Sequence, residues 1–130
     1  MESISTQDAL NATLKEQRSV VYFYVDWSVY AKQGLGVVEE LESSVAYQTP
    51  AVTFRLADVS DVNAAGAFMF DWLKQNERAD LKLCNRIALG NGSVMWLLQG
   101  QIVDFEPRIT SYDLFALTER TKRAFGLGET

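Results

Sequence analysis

The chain has 130 residues, enough for one domain with a proper core and too few to expect two. Lys and Arg number 12 against 17 Asp and Glu, a formal net charge of −5 that opposes nucleic acid and anionic membrane as partners. Histidine is absent and Cys84 is the single cysteine, which excludes histidine-based triads, imidazole proton shuttles, histidine or all-cysteine zinc sites and any intrachain disulfide.

Glu2 to Ile4 can form a short edge strand, after which Ser5 or Thr6 can cap a helix with Asp8 in its first turn and Ala9, Leu10, Thr13 and Leu14 on one side. Met1–Ser5 is neither basic nor followed by a hydrophobic segment, and no window approaches the roughly 18 apolar residues of a membrane span. The expectation is a soluble, unprocessed, cytoplasmic protein. Val20 to Val25 is an unbroken β-branched and aromatic run, as in a strand covered on both faces, and it ends at Asp26-Trp27. From about Val29 to Val45 a helix carries Leu35, Val38, Leu41 and Val45 at spacings of three and four, with Glu39, Glu40 and Glu42 mostly outward. Gly34 and Gly36 each cost about 1 kcal/mol relative to alanine there, which predicts a bend or a loosened turn.

Thr49-Pro50 stops that helix, and Ala51 to Asp58 alternates as a strand. Asp61 can cap a third helix with a stripe of Ala65, Met69, Trp72 and Leu73, flanked by Phe68 and Phe70. That flank, with Trp72, is a possible face for a homodimer. Leu81 and Leu83, followed by Ile87 and Leu89, predict an extended piece. Val94–Leu98 and Gln101–Phe105, joined by Gln99-Gly100, read as a tight hairpin with glycine supplying the positive φ. Thr110-x-x-Asp113 resembles a capping box opening a last helix, with Leu114, Leu117, Thr118, Thr121 and Phe125 on one side.

The run Val20–Lys32 resembles the active-site segment of thioredoxins, where an apolar strand leads into W-C-G-P-C, a lysine and an amphipathic helix; here the residues are Trp27-Ser28-Val29-Tyr30-Ala31-Lys32. Phe54–Asp61 looks like the family's third strand, and the hairpin like the pair that closes its sheet. The resemblance runs from about residue 2 to residue 125, with a longer connection at about 63–91. It implies a single α/β thioredoxin-like domain, a mixed sheet of four or five strands with helices on both faces. Both cysteine positions, Ser28 and Ala31, are occupied by residues that cannot form a disulfide. Tyr22 stands where the family has a buried aspartate, Gly36 where it has a kinking proline, and Gly92-Ser93 where it has a cis-proline loop.

Disulfide exchange needs an attacking and a resolving thiol, so no dithiol activity is expected, nor any metal or cofactor. Ser28 with Lys32 as base would be a nucleophile only if the base were held within hydrogen-bond reach, and a serine at a helix start is ordinarily a cap. Cys84, between Lys82 and Arg86, is either an inert packed thiol or the seat of a one-thiol redox or glutathione-dependent activity. Asp58, Ser60 and Asp61 gather oxygens but lack calcium-loop spacing, and Gly90-Asn91-Gly92-Ser93 lacks the lysine and helix of a phosphate loop. Trp27, Val29 and Tyr30 either fold inward over the strand ends or stand exposed as a binding centre. By the resemblance, an extended segment of a partner protein would lie along Trp27, Ser28, Val29, Tyr30, Gly92 and Ser93. Glycine in place of a cis-proline would loosen that groove and lower its affinity.

Overall fold

The computed structural model describes residues 1–48, 52–61, 66–76 and 82–127. Five strands, β1 (Glu2–Ser3), β2 (Arg18–Tyr24), β3 (Thr53–Asp58), β4 (Ser93–Leu98) and β5 (Gln101–Glu106), form one mixed sheet in the order β1-β3-β2-β4-β5. β2 runs parallel to β3, pairing Val20 with Phe54 and Phe23 with Ala57, and antiparallel to β4, pairing Val20 with Trp96 and Phe23 with Ser93. The apolar run at Val20–Val25 therefore lies in the middle, and of its residues Val20, Val21, Tyr22, Phe23 and Val25 are at most 2 % exposed.

Alternation along the central strands divides the core in two, because successive side chains leave a strand on opposite faces. Val21, Phe23, Met95 and Leu97 face a layer built by Leu10 of α1 (Gln7–Leu14), Met69 and Leu73 of α3 (Ala67–Asn76), and Leu83 and Ile87 of α4 (Leu83–Ala88). Val20, Tyr22, Val94 and Trp96 face Val38, Leu41 and Val45 of α2 (Val29–Gln48) and Leu117 and Phe125, the latter just past α5 (Leu114–Ala124).

Local chemistry explains the ends, and corrects several expectations. Thr6 caps α1, its Oγ1 accepting the Ala9 N–H at 3.1 Å. α2 runs through Gly34 and Gly36 as one helix; its proposed stop at Thr49-Pro50, and the strand start at Ala51, lie outside the described residues. α3 begins at Ala67, and the Asp61 carbonyl accepts the Gly66 N–H at 3.0 Å; the turn that a cap on Asp61 would serve, with Ala65, lies outside the described residues. Phe68, Phe70 and Trp72 are partly buried against the core.

The piece expected to be extended is helical at Leu83–Ala88. Leu83 and Ile87, four apart, fit one helix face as well as an alternating strand, and both are buried; Leu81 lies outside the described residues. Asp113, not Thr110, caps α5: its Oδ1 accepts the Ala116 N–H at 2.7 Å, while Thr110 sits in a 3-10 turn, Ile109–Ser111. β4 and β5 pair as the expected hairpin, and both turn residues take positive φ, Gln99 at 51° and Gly100 at 77°, as a type I′ turn requires.

Arg120 fastens α5 to the edge strand. Its Nε and Nη2 donate to Asp104 Oδ2 and Oδ1 at 2.7 and 3.0 Å, Nη1 donates to Glu106 Oε1 at 2.7 Å, and its guanidinium lies 4.9 Å over the Trp96 ring. The Asp104 hydrogen bond, foremost, binds the arginine proton more firmly than usual. Arg120→Met would leave two carboxylates side by side without a cation. Urea denaturation should show a loss of about 2 kcal/mol for this variant, below the figure for a fully buried pair because Asp104 keeps some solvent.

Candidate functional site

Three parallel strands end on the same rim, and the chain leaves β2 there through Asp26 and Trp27. The Asp26 N–H donates to Ser60 Oγ at 2.8 Å, and Ser60 in turn donates its N–H to Asp58 Oδ1 at 3.0 Å. A shallow depression of about 460 Å³ opens here, lined by Ser3, Ile4, Ser5, Asp26, Asp58, Ser60 and Asp61. Among the described residues no three His, Cys, Asp or Glu side chains are grouped to hold a metal ion.

The corner itself is built from Ser28 upward. Ser28 is 6 % exposed; its Oγ donates to the Gly90 carbonyl at 2.5 Å and accepts the Ala31 N–H at 3.3 Å. The hydroxyl is thus a helix cap whose proton is spent on a backbone oxygen, and Lys32 is exposed. Beneath it, the Tyr22 hydroxyl donates to the Ala31 carbonyl inside the core. Burial first, and charge at Tyr24 second, push the Tyr22 phenol well above its ordinary value.

That hydroxyl explains two glycines. A Cβ on Gly34 would overlap Tyr22 Oη and stand 3.0 Å from Ile109 Cγ2, while a Cβ on Gly92 would stand 3.0 Å from Tyr22 Oη. Gly92 also has φ +84°, the left-handed region that favours glycine. Its carbonyl accepts the Ile109 N–H at 2.9 Å, and Ser93 Oγ donates to the Pro107 carbonyl at 2.9 Å. Gly92 and Ser93, expected along a groove, are buried with these groups turned inward.

Above this layer Trp27 is 63 % exposed, Val29 63 % and Tyr30 44 %, so these residues do not fold inward over the strand ends. Two further residues belong to the surface that sequence did not single out. Leu89, expected in an extended piece, is 64 % exposed, next to the Gly90 against which the Trp27 ring lies. Arg108 places its guanidinium carbon 4.1 Å over the centre of the Tyr30 ring. Nothing short-range could have found that pairing, since the two are 78 positions apart. Cys84 lies on α4, partly buried against the core.

Sheet order, helices on both faces and the corner after β2 define a thioredoxin fold, here without the paired cysteines. Solved structures agree: a thioredoxin from Malassezia sympodialis is 17 % identical over 96 % of this chain and 90 % of its own, with a TM-score of 0.62. A thioredoxin variant from Halobacterium salinarum is 18 % identical over 98 % and 92 %, TM-score 0.64. Zinc-bound human ERp44 is 13 % identical over 94 % of this chain but 30 % of its own length, TM-score 0.61. No family model and no curated protein matches this chain.

Two expectations follow. Gly34→Ala should destabilise the protein by about 1–3 kcal/mol through overpacking, whereas Gly36→Ala, with nothing within 4 Å of its Cβ, should gain up to about 1 kcal/mol, both by denaturant titration. The second concerns pH. Below the ordinary tyrosine value of about 10 both folded and unfolded chains hold the Tyr22 proton; above it the unfolded chain ionises first, so stability falls as pH rises toward the higher folded value. Stability curves of wild type and Tyr22→Phe should therefore run parallel at neutral pH, with the wild type falling more steeply above pH of about 10.

Proposed function

We propose that this chain is a non-catalytic binding module of the thioredoxin fold, which holds an extended segment of a partner protein at the corner after β2. The observation that carries this reading is the outward stand of Trp27, Val29 and Tyr30 at the place where Ser28 and Ala31 occupy the two cysteine positions. One cysteine in the whole chain leaves no intrachain disulfide to cycle. Exposed aromatics with rigid support beneath are the residue types that dominate binding centres.

A scaffold, assembly or regulatory role suits such a module. The net charge of −5 argues against nucleic acid or an anionic membrane as the partner. Among the described residues no helix is long and apolar enough to cross a membrane. A reducing cytoplasmic setting accords with a single thiol.

The test is affinity capture from the native organism with wild type, Trp27→Ala and Tyr30→Ala side by side. Both positions are exposed, so the variants should keep the fold to within about 0.5 kcal/mol. A protein retained by wild type should be lost or weakened at least ~10-fold by each substitution. Identical recovery with all three would remove the corner from consideration.

A further inference from the structure

We propose that the segment bound at this corner carries a carboxylate beside an apolar side chain, and that Arg108 is the group that reads it. This rests on the binding reading above and adds the chemistry of the partner.

Arg108 is exposed, yet its guanidinium is not loose: it lies 4.1 Å over the Tyr30 ring. Stacking engages the face of the guanidinium and leaves its edge, where the N–H donors are, for a planar acceptor. The nearby acids do not provide one. Glu106 gives Oε1 to Arg120 and Oε2 to the backbone N–H of Arg108, at 2.7 and 2.8 Å, and Asp104 is held by Arg120 through both oxygens. Among the described residues no carboxylate lies in ion-pair reach of the Arg108 side chain. Among the described residues, a positioned cation without a counter-charge thus lies over Tyr30, whose chain neighbours Trp27 and Val29 are exposed as well.

Topology gives the surface a polarity. On the β3 side of β2 the rim carries Asp26, Asp58 and Asp61; past the end of β5, on the other side, it carries Arg108 over Tyr30. In a chain of net charge −5 a uniformly acidic partner would be repelled. One acidic group in register with Arg108, beside an apolar residue for the aromatic face, meets both features. Such complementary charge fixes register and suppresses wrong partners.

The experiment is a displayed-peptide selection on the intact protein with two random 12-residue libraries, one with free C-termini and one with the randomised stretch internal. It is run on wild type, Trp27→Ala, Arg108→Gln and Arg108→Glu. Wild type should enrich Asp or Glu adjacent to an apolar residue from the internal library, or an apolar C-terminal residue from the free-ended one, which tells a side-chain carboxylate from a terminal one. Against an enriched peptide made synthetically, Arg108→Gln should bind at least ~10-fold more weakly. Arg108→Glu should turn the preference to Lys or Arg, a reversal that loss of packing alone would not produce. Apolar enrichment without acid, or an acidic preference untouched in both Arg108 variants, overturns this inference and leaves the corner standing. No enrichment by wild type, or the same peptides with Trp27→Ala, overturns the corner reading and this inference with it.

Discussion

The hydrogen bond from the Tyr22 hydroxyl to the Ala31 carbonyl is the brace on which the corner after β2 is hung. A phenol buried in a sheet centre must find an acceptor or lose its hydration without return. Here the acceptor is on the first turn of α2, so the central strand and the helix that carries Val29 and Tyr30 are joined from beneath. The oxygen also takes up the room that side chains at positions 34 and 92 would need. Helix, strand and the Gly92 loop can therefore approach one another only with glycine at both places. The group is a phenol, protonated at physiological pH even at its ordinary value, and burial pushes that value higher still.

Most of this architecture could be read along the chain because its signals are local or periodic. The run from Val20 to Val25 shows no alternation in hydrophobicity since both faces of β2 are covered, and the split of Val20 and Tyr22 from Val21 and Phe23 between two clusters is what makes it uniform. The hairpin is announced by Gln99-Gly100 between two apolar runs. What failed was what short patterns leave ambiguous. Leu83 and Ile87 fit a strand or a helix equally, and the burial of both on one helix face decided for the helix. Thr110 and Asp113 have capping-box spacing, yet Asp113 is itself the cap, because the chain spends Ile109–Ser111 on a 3-10 turn first.

The candidate site was legible in its outline and not in its support. Trp27, Val29 and Tyr30 stand out as apolar residues at a strand end, but whether they turn in or out depends on what fills the space below them. Ser28, the Gly90 carbonyl and the Tyr22 hydroxyl fill it. Gly34 was read as a weakness in a helix when it is the fit around Tyr22; for Gly36 the structure supplies no such reason. Arg108 carries no signal in its own neighbourhood, and its meaning arises only when the end of β5 is brought across the sheet to Tyr30.

A glycine in the loop facing the corner ought to cost preorganisation, since glycine has the most backbone freedom to lose. The loop answers that cost with hydrogen bonds distributed along its length. The Gly90 carbonyl is held by Ser28, the Gly92 carbonyl by the Ile109 N–H, and the Ser93 hydroxyl holds Pro107. Each contact is buried or partly so, where exchange with water gives no compensation for losing it. The surface that remains outside, Trp27 against Gly90 and Tyr30 under Arg108, therefore rests on a fixed floor. Support of this kind lowers what a surface must give up in conformational freedom if anything is to settle on it.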